Sequence, residues 1–132
     1  MIKEGSTTMW EQFDAKNSHD HPMFGGSLVW FYRYLAGIKV DPESPAYRHS
    51  IISPFLAEGL DSVDYTLDTV YGPLRVAWKR YGGRLSMDIT VPEGCGATLK
   101  WPVEGVTFSG NGIKAQGTAE LVSGTYRLSS RI

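Results

Sequence analysis

The chain has 132 residues, 42% of them hydrophobic and 12% aromatic, which is enough for one packed domain of ordinary size and little more. Its formal net charge of −1 provides no long-range attraction to nucleic acid or to an anionic membrane, so neither is expected as a partner. The single cysteine, Cys95, excludes an intrachain disulfide, and no apolar run approaches the ~18 residues of a membrane-spanning helix.

The first 22 residues are polar and have neither helical nor strand periodicity, so we predict a loop around one short turn. They lack the apolar core of a signal peptide, and the compartment is left open. Trp10 and Glu11 are adjacent in this segment, and His19 and His21 follow. Polar loops on rigid scaffolds often carry binding and catalysis. An indole beside a carboxylate can hold a sugar, because the ring packs on its apolar face while the acid contacts a hydroxyl or a water.

Two plainer interpretations of this segment stay open at this point. Glu11 could cap a helix or pair with Lys16, and the histidines could simply complete a loop. A metal site is not expected, because His19 and His21 have no second cluster of ligands and no H-E-x-x-H motif is present. No cofactor is predicted.

Residues 24–38 are predicted to form a helix that ends at Gly37, a residue typical of helix C-caps. Only Ser27 and Arg33 are polar between positions 27 and 36, apart from tyrosine hydroxyls, so the helix needs burial on more than one side. A single sandwich does not easily supply that, which indicates a segment of a larger helical structure. The alternative is a homodimer in which this helix pairs with a second copy. The residues of its main apolar face are Phe24, Leu28, Phe31 and Leu35.

Residues 46–132 are predicted to form an antiparallel β-sandwich, preceded by a linker, 41–45, that two prolines stiffen. The clearest strand is 84–91, where apolar and polar residues alternate, and Gly82-Gly83 suits the tight hairpin before it. Short strands separated by Gly or Pro are typical of a sandwich. The predicted strands are 48–52, 62–67, 74–78, 84–91, 97–101, 106–108, 112–115, 119–122 and 125–129.

The β region carries few candidates for chemistry. Its acids are spread along strands and turns, as on a solvated surface, and His49 is expected to be an ordinary strand residue. Trp78 and Trp101 could stack on a sugar, but their position in the strand alternation favours the core. Cys95 is expected to be a small residue in the turn 92–96.

Several motifs resemble those of the bacterial α-L-rhamnosidases, a family of inverting glycoside hydrolases. Residues 5–11, GSTTMWE, are similar to the family's G-A-T-T-x-W-E element. Residues 21–25 and 30–38 resemble N-H-Y-x-F-G followed by W-L-Y-R-x-L-A-G-I. The segment 45–54 and the segment 69–78 are similar to P-G-Y-K-H-F-x-I-x-P and T-P-Y-G-x-I…W. The resemblance runs in order over residues 1–102.

The resemblance implies a division of the chain into two parts. Residues 1–38 would be the end of a catalytic (α/α)6 barrel, a loop plus its last helix, and residues 39–132 a C-terminal β-sandwich. It also implies roles: Glu11 as the general base that activates water, His21 as a contact of the bound rhamnose, and Trp10 as part of the pocket wall. The implied substrate is a rhamnosyl oligosaccharide or glycoside. Pro22 and the His19-Asp20 pair depart from the family pattern.

The family's general acid belongs to a D-x-x-R-D-E-R motif that this sequence does not contain. One carboxylate cannot both protonate the leaving oxygen and activate water on the opposite face of the sugar. We therefore expect the chain alone to be inactive. The alternative function is a non-catalytic carbohydrate-binding or interaction module, which predicts exposed aromatic residues on the sandwich.

Overall fold

The helix that precedes the β region ends before Gly37 in the computed structural model, which describes residues 29–132. Helical residues 29–30 continue into a π-helix, Phe31–Leu35, and strand β1, Ile38–Val40, follows. The prediction that the helix extends to residue 38 was therefore wrong by three residues. Residues 24–28 of the predicted helix lie outside the described residues.

Gly37 makes the change from helix to sheet possible. Its φ is +75°, and a Cβ at this position would overlap the backbone nitrogen of Pro54 and the carbonyl carbon of Ser53. The Ser53 N–H donates to the Gly37 carbonyl at 2.8 Å, and the Phe55 N–H donates to the Tyr34 carbonyl at 2.8 Å. Only glycine combines this φ with so close a backbone approach.

Three consecutive strands form an antiparallel meander. Strand β3, Ser62–Thr69, pairs with β4, Gly72–Tyr81, and β4 pairs with the first half of β5, Arg84–Lys100. The hairpin predicted at Gly82-Gly83 is confirmed, with φ values of +58° and +76°. Alternating residues of β4 and β5 are buried, as their sequence period requires.

Strand β5 is the centre of the sheet because it pairs with three other strands. Strand β8, Thr118–Arg131, runs antiparallel along it, with a register shift between Val91 and Gly96. The predictions of separate strands at 84–91 and 97–101, and at 119–122 and 125–129, were wrong. Pro92, which has no N–H, and Gly94, with φ +77°, interrupt the ladder without ending the strand.

Strand β2, His49–Ile52, is antiparallel to β1 and parallel to the second half of β5. The double-proline segment 41–45 connects β1 to β2, so it lies inside the β region. Strands β6, Thr107–Gly110, and β7, Ile113–Gln116, form a hairpin that meets β8 at Ser109 and Ser129. The eight strands of residues 29–132 form one hydrogen-bonded sheet, in which the β2–β5 pair is parallel.

Both halves of β5 contribute to one hydrophobic core, together with residues of β1, β2, β4, β6 and β8. The largest side chains buried to less than 2% exposure include Trp78, Phe108, Met87 and Leu99. The mainly β fold is thereby confirmed. No helix within residues 29–132 is long and apolar enough to cross a membrane. The chain divides into two units, 1–31 and 32–132, and the described core belongs to the second.

Candidate functional site

The three residues that the sequence analysis singled out, Trp10, Glu11 and His21, lie outside the described residues. Their proposed roles remain predictions. The predicted dimer through residues 24–38 also remains a prediction. The site that the described part of the chain does present is the outer face of the sheet, which we define as the side of β3, β4, β5 and β8 turned away from the core.

Two ion pairs occupy the middle of the outer face. Asp64, Ala77, Asp88 and Arg127 are directly opposite one another across β3, β4, β5 and β8. Arg75 donates to both oxygens of Asp64, at 2.9 and 2.8 Å, and Arg127 donates through Nε to Asp88 Oδ1 at 2.9 Å. A shallow cleft of about 420 Å³ runs between these pairs, over the small side chain of Ala77.

The Asp64 carboxylate is poorly suited to donate a proton. The hydrogen bond from Arg75 holds the pKa of Asp64 below its usual value, an effect that partial desolvation opposes and the positive charge of Arg75 reinforces. A general acid needs a raised pKa, which burial in apolar surroundings or a nearby negative charge would provide. Asp64 is therefore not a candidate general acid.

A second polar cluster joins β2, β5 and β8. His49 Nε2 lies 2.9 Å from Thr98 Oγ1, and the Thr98 hydroxyl donates to Glu120 Oε1 at 2.6 Å. The other oxygen of Glu120 is 3.7 Å from His49 Nε2. Gly96 makes room for the imidazole, because a Cβ there would lie 3.2 Å from His49 Nδ1. The contacts of this cluster join three neighbouring strands, and none of its residues lines the clefts of about 390–440 Å³ on the described surface.

The two tryptophans considered for sugar stacking are in the core. Trp78 is 1% exposed and donates through Nε1 to the Leu35 carbonyl at 2.7 Å. Trp101 is 6% exposed, donates to Ser130 Oγ at 3.0 Å and stacks on Phe108 with a centroid distance of 4.5 Å. The expectation that both belong to the core is confirmed, and neither ring can bind a sugar.

Cys95 is buried, and burial raises the pKa of its thiol above the ordinary value, although the charge of Arg48 partly opposes the shift. Such a thiol is a weak nucleophile. Within residues 29–132 there is no group of three or more His, Cys, Asp or Glu side chains placed to hold a metal ion.

Sequence reasoning missed the Asp64–Arg75 and Asp88–Arg127 pairs and the His49–Thr98–Glu120 cluster. The partners are separated by 11, 39, 49 and 22 positions, so no local spacing connects them. The strand alternation placed Arg75 and Asp88 on a polar face. The Asp88–Arg127 and Thr98–Glu120 contacts depend on the long pairing of β5 with β8, which the predicted shorter strands did not contain. The other two contacts depend on the registers of β3 with β4 and of β2 with β5.

Two family models match adjoining parts of the chain. The model described as bacterial alpha-L-rhamnosidase C-terminal domain matches residues 37–116. The model described as bacterial alpha-L-rhamnosidase 6 hairpin glycosidase domain matches residues 1–35, which include Trp10, Glu11 and His21. The two matches meet next to Gly37, where the helix gives way to β1.

Individual alpha-L-rhamnosidases are also similar to this chain. An alpha-L-rhamnosidase of an Alteromonas species is 29% identical over 69% of the chain, which corresponds to 11% of that protein. The solved alpha-L-rhamnosidase of Dictyoglumus thermophilum superposes with a TM-score of 0.76 and 26% identity, over 100% of this chain and 17% of that one. The enzyme of Streptomyces avermitilis, solved in complex with L-rhamnose, gives 0.73 and 27%, over 97% and 14%. The match thus covers about a tenth of the length of each of the curated relatives.

Proposed function

Because this chain belongs to the bacterial α-L-rhamnosidases, carrying their C-terminal domain, we propose that it is the C-terminal part of a glycosidase that removes terminal α-L-rhamnose with inversion. The observation that carries the proposal is the order of the two family matches, residues 1–35 and then 37–116. Residues 1–38 would complete the catalytic barrel, and residues 39–132 would form the domain beside it.

In this proposal Glu11 is the general base. Its carboxylate accepts a proton from the water that attacks the anomeric carbon, opposite the leaving glycosidic oxygen. In inverting glycosidases the base lies roughly 6.5–9.5 Å from the acid, which leaves room for that water. His21 would contact the rhamnose, and Trp10 would form part of the pocket wall. The support is the similarity of residues 5–11 and 21–25 to the family motifs.

We further propose that the 132-residue chain does not hydrolyse rhamnosides by itself. Its sequence has no counterpart of the acid motif, and among the described acids Asp64 has a lowered pKa and Asp88 is paired with Arg127. Incubation of the pure chain with p-nitrophenyl α-L-rhamnopyranoside should release no p-nitrophenol. Release that Glu11→Gln abolishes would contradict the proposal.

The role of Glu11 can be tested in a chimera in which this chain replaces the matching C-terminal part of the Dictyoglumus thermophilum enzyme. Glu11→Gln should lower kcat by about 10²–10⁴-fold, the usual contribution of a general base. Glu4→Gln, in the same segment, is the matched control and should leave kcat unchanged. Azide should rescue Glu11→Ala and give β-L-rhamnosyl azide. An α-configured first product, seen by NMR, would contradict inversion.

The alternative of a sandwich that binds sugar through Trp78 and Trp101 loses its main support, because both indoles are buried.

A further inference from the structure

The cations of the outer face fall into two groups. Arg75 and Arg127, in the middle of the face, each contact an aspartate. Lys79, Arg84 and Arg131, towards the end of the face, are exposed, and no carboxylate of residues 29–132 lies within ion-pair distance of them. In a chain with a net charge of −1, three cations without a carboxylate in one region are a local excess of positive charge.

Two of these cations are directly opposed. Arg84 of β5 and Arg131 of β8 are register partners in an antiparallel pair. Among residues 29–132, the one side-chain hydrogen bond of these two guanidinium groups runs from Arg84 to Ser129 Oγ and is 3.2 Å long. Like charges opposite each other in a sheet are destabilising. Further along the same face, the same two strands place Asp88 opposite Arg127, which shows that this register accommodates an opposite-charge pair. An anion held between Arg84 and Arg131 would remove the repulsion.

The surroundings of this arginine pair suit a sugar. Tyr81 is the register partner of Arg84 on β4, and its side chain is 84% exposed, so its ring is available for stacking. The next row across the strands consists of hydroxyls and one ammonium: Ser62, Lys79, Ser86, Ser129 and, on β6, Ser109.

Two open clefts lie at this end of the sheet. One, of about 440 Å³, is lined by Arg84, Arg131, Ser109 and Ser129 among others. The other, of about 430 Å³, is lined by Tyr81 and Lys79, together with Asp61, Arg80 and Ile132.

We propose that this end of the outer face, defined by Tyr81, Arg84, Arg131 and Lys79, binds an anionic saccharide. The guanidinium groups contact a carboxylate or a sulfate ester of the sugar, the Tyr81 ring packs on its apolar face, and the serine hydroxyls contact its hydroxyls. Arginine is suited to this task because its planar group can donate two parallel hydrogen bonds to an anion. The choice of a sugar as ligand rests on the proposed glycosidase function.

The test uses the 132-residue chain and isothermal titration with four probes: tetragalacturonate, its full methyl ester, a sulfated carrageenan tetrasaccharide and inorganic sulfate. At least one charged tetrasaccharide should bind about tenfold or more tightly than the neutral ester, the difference that one charge-assisted contact provides. The preferred one identifies the carboxylate or the sulfate as the anion. Equal affinity for the ester, no binding of either charged probe, or equally tight binding of inorganic sulfate would overturn the proposal.

Variants separate this role from a structural one. Arg131→Glu should abolish binding of the charged probe and at the same time raise Tm, because the introduced carboxylate would face Arg84 across the strands. Arg127→Gln, on the same strand and face, is the matched control and should leave affinity within about twofold, since Arg127 is already paired with Asp88. Tyr81→Ala should weaken saccharide binding without raising Tm. Loss of binding in Arg127→Gln equal to that in Arg131→Glu would contradict the assignment.

The outcome is independent of the glycosidase test. A chimera that hydrolyses the rhamnoside while the chain binds no charged tetrasaccharide removes this inference alone. Binding that depends on Arg131, combined with an inactive chimera, removes the proposed catalytic role and leaves the anion site in place.

Discussion

The indole N–H of Trp78 donates a hydrogen bond to the carbonyl oxygen of Leu35 at 2.7 Å, and both residues are buried. Leu35 is the last residue of the π-helix, and Trp78 lies on β4, next to the centre of the sheet. A helix ends with carbonyls that lack intrahelical partners. The core tryptophan satisfies one of them, so the end of the helix is fixed to the β core by a specific polar contact as well as by packing.

Replacing Trp78 with Phe removes this donor and part of the ring. We expect a loss of about 2–4 kcal/mol in the free energy of unfolding, from the buried carbonyl left without its partner and from the cavity. Urea unfolding followed by circular dichroism measures it. Tyr81→Phe, at an exposed ring, is the control and should change stability by less than about 0.5 kcal/mol. Equal stability of the two variants would show that the Trp78–Leu35 bond contributes nothing.

Gly37 and Gly59 have almost the same φ, +75° and +78°, but different surroundings. A Cβ at Gly37 overlaps the backbone of Ser53 and Pro54, whereas a Cβ at Gly59 meets no atom within 4 Å. Gly59→Ala should cost about 1–2 kcal/mol, the strain of a left-handed residue. Gly37→Ala should cost several kcal/mol more or prevent folding. Thermal unfolding of the two variants decides the matter, and similar Tm values would contradict the close approach at Gly37.

The Asp64–Arg75 pair predicts a small dependence of stability on pH. The pKa of Asp64 is lowered in the folded chain, mainly by the hydrogen bond from Arg75. The unfolded chain therefore takes up the proton first as pH falls. The stabilisation is present above about pH 4, the usual carboxyl range, and is lost as pH falls through the lowered pKa.

Both side chains of this pair are more than a third exposed, so solvent limits the effect to a few tenths of a kcal/mol, up to about 1. Urea titrations of the wild type and Asp64→Asn at pH 7 and pH 3 should differ at the higher pH and converge at the lower. Asp68→Asn, on the same strand but without an ion pair in the described structure, should show no such convergence. A gap between the wild type and Asp64→Asn that widens at pH 3 would contradict the assigned direction.

Cys95 should react slowly with a disulfide reagent in the folded chain. It is 7% exposed, and burial raises its pKa, so little thiolate is present at neutral pH. The expected result is slow release of thionitrobenzoate from Ellman's reagent in buffer. Release should be rapid in about 8 M urea, which unfolds most small domains. Equal rates in the two conditions would mean that the thiol is accessible in the native domain.

The sequence predicted which segments form strands better than it predicted where each strand ends. Alternation identified β4 and the first half of β5, residues 62–67 were among the predicted short strands, and the glycine pair identified the hairpin between β4 and β5. Pro92 and Gly94 suggested a turn because both residues are typical of turns. In the structure the facing strand is interrupted at nearly the same level, by Gly124 with φ +143°, so the pairing resumes after a register shift. Such mutual accommodation involves residues about 30 positions apart and leaves no local signal.

The residues proposed for catalysis were predicted from local sequence alone. Glu11, His21 and Trp10 were selected because consecutive residues resemble a family motif, which needs no knowledge of register. The Arg84–Arg131 pair could not be selected in this way. Each arginine alone is an ordinary residue at a strand end, and only the alignment of β5 with β8 brings them face to face.

The position of β5 in the sheet has a consequence for how the domain acquires its structure. Strand β2 pairs with residues 96–99, more than 40 positions later, and β8 pairs with β5 along both of its halves. Contacts between distant parts of a chain form slowly, because the entropy of closing long loops is lost before pairing compensates for it. During synthesis the meander β3–β4–β5 and the β1–β2 pair can assemble first, while the pairing of β2 with β5 must wait for the end of β5. The central strand keeps one open edge until β8 has left the ribosome.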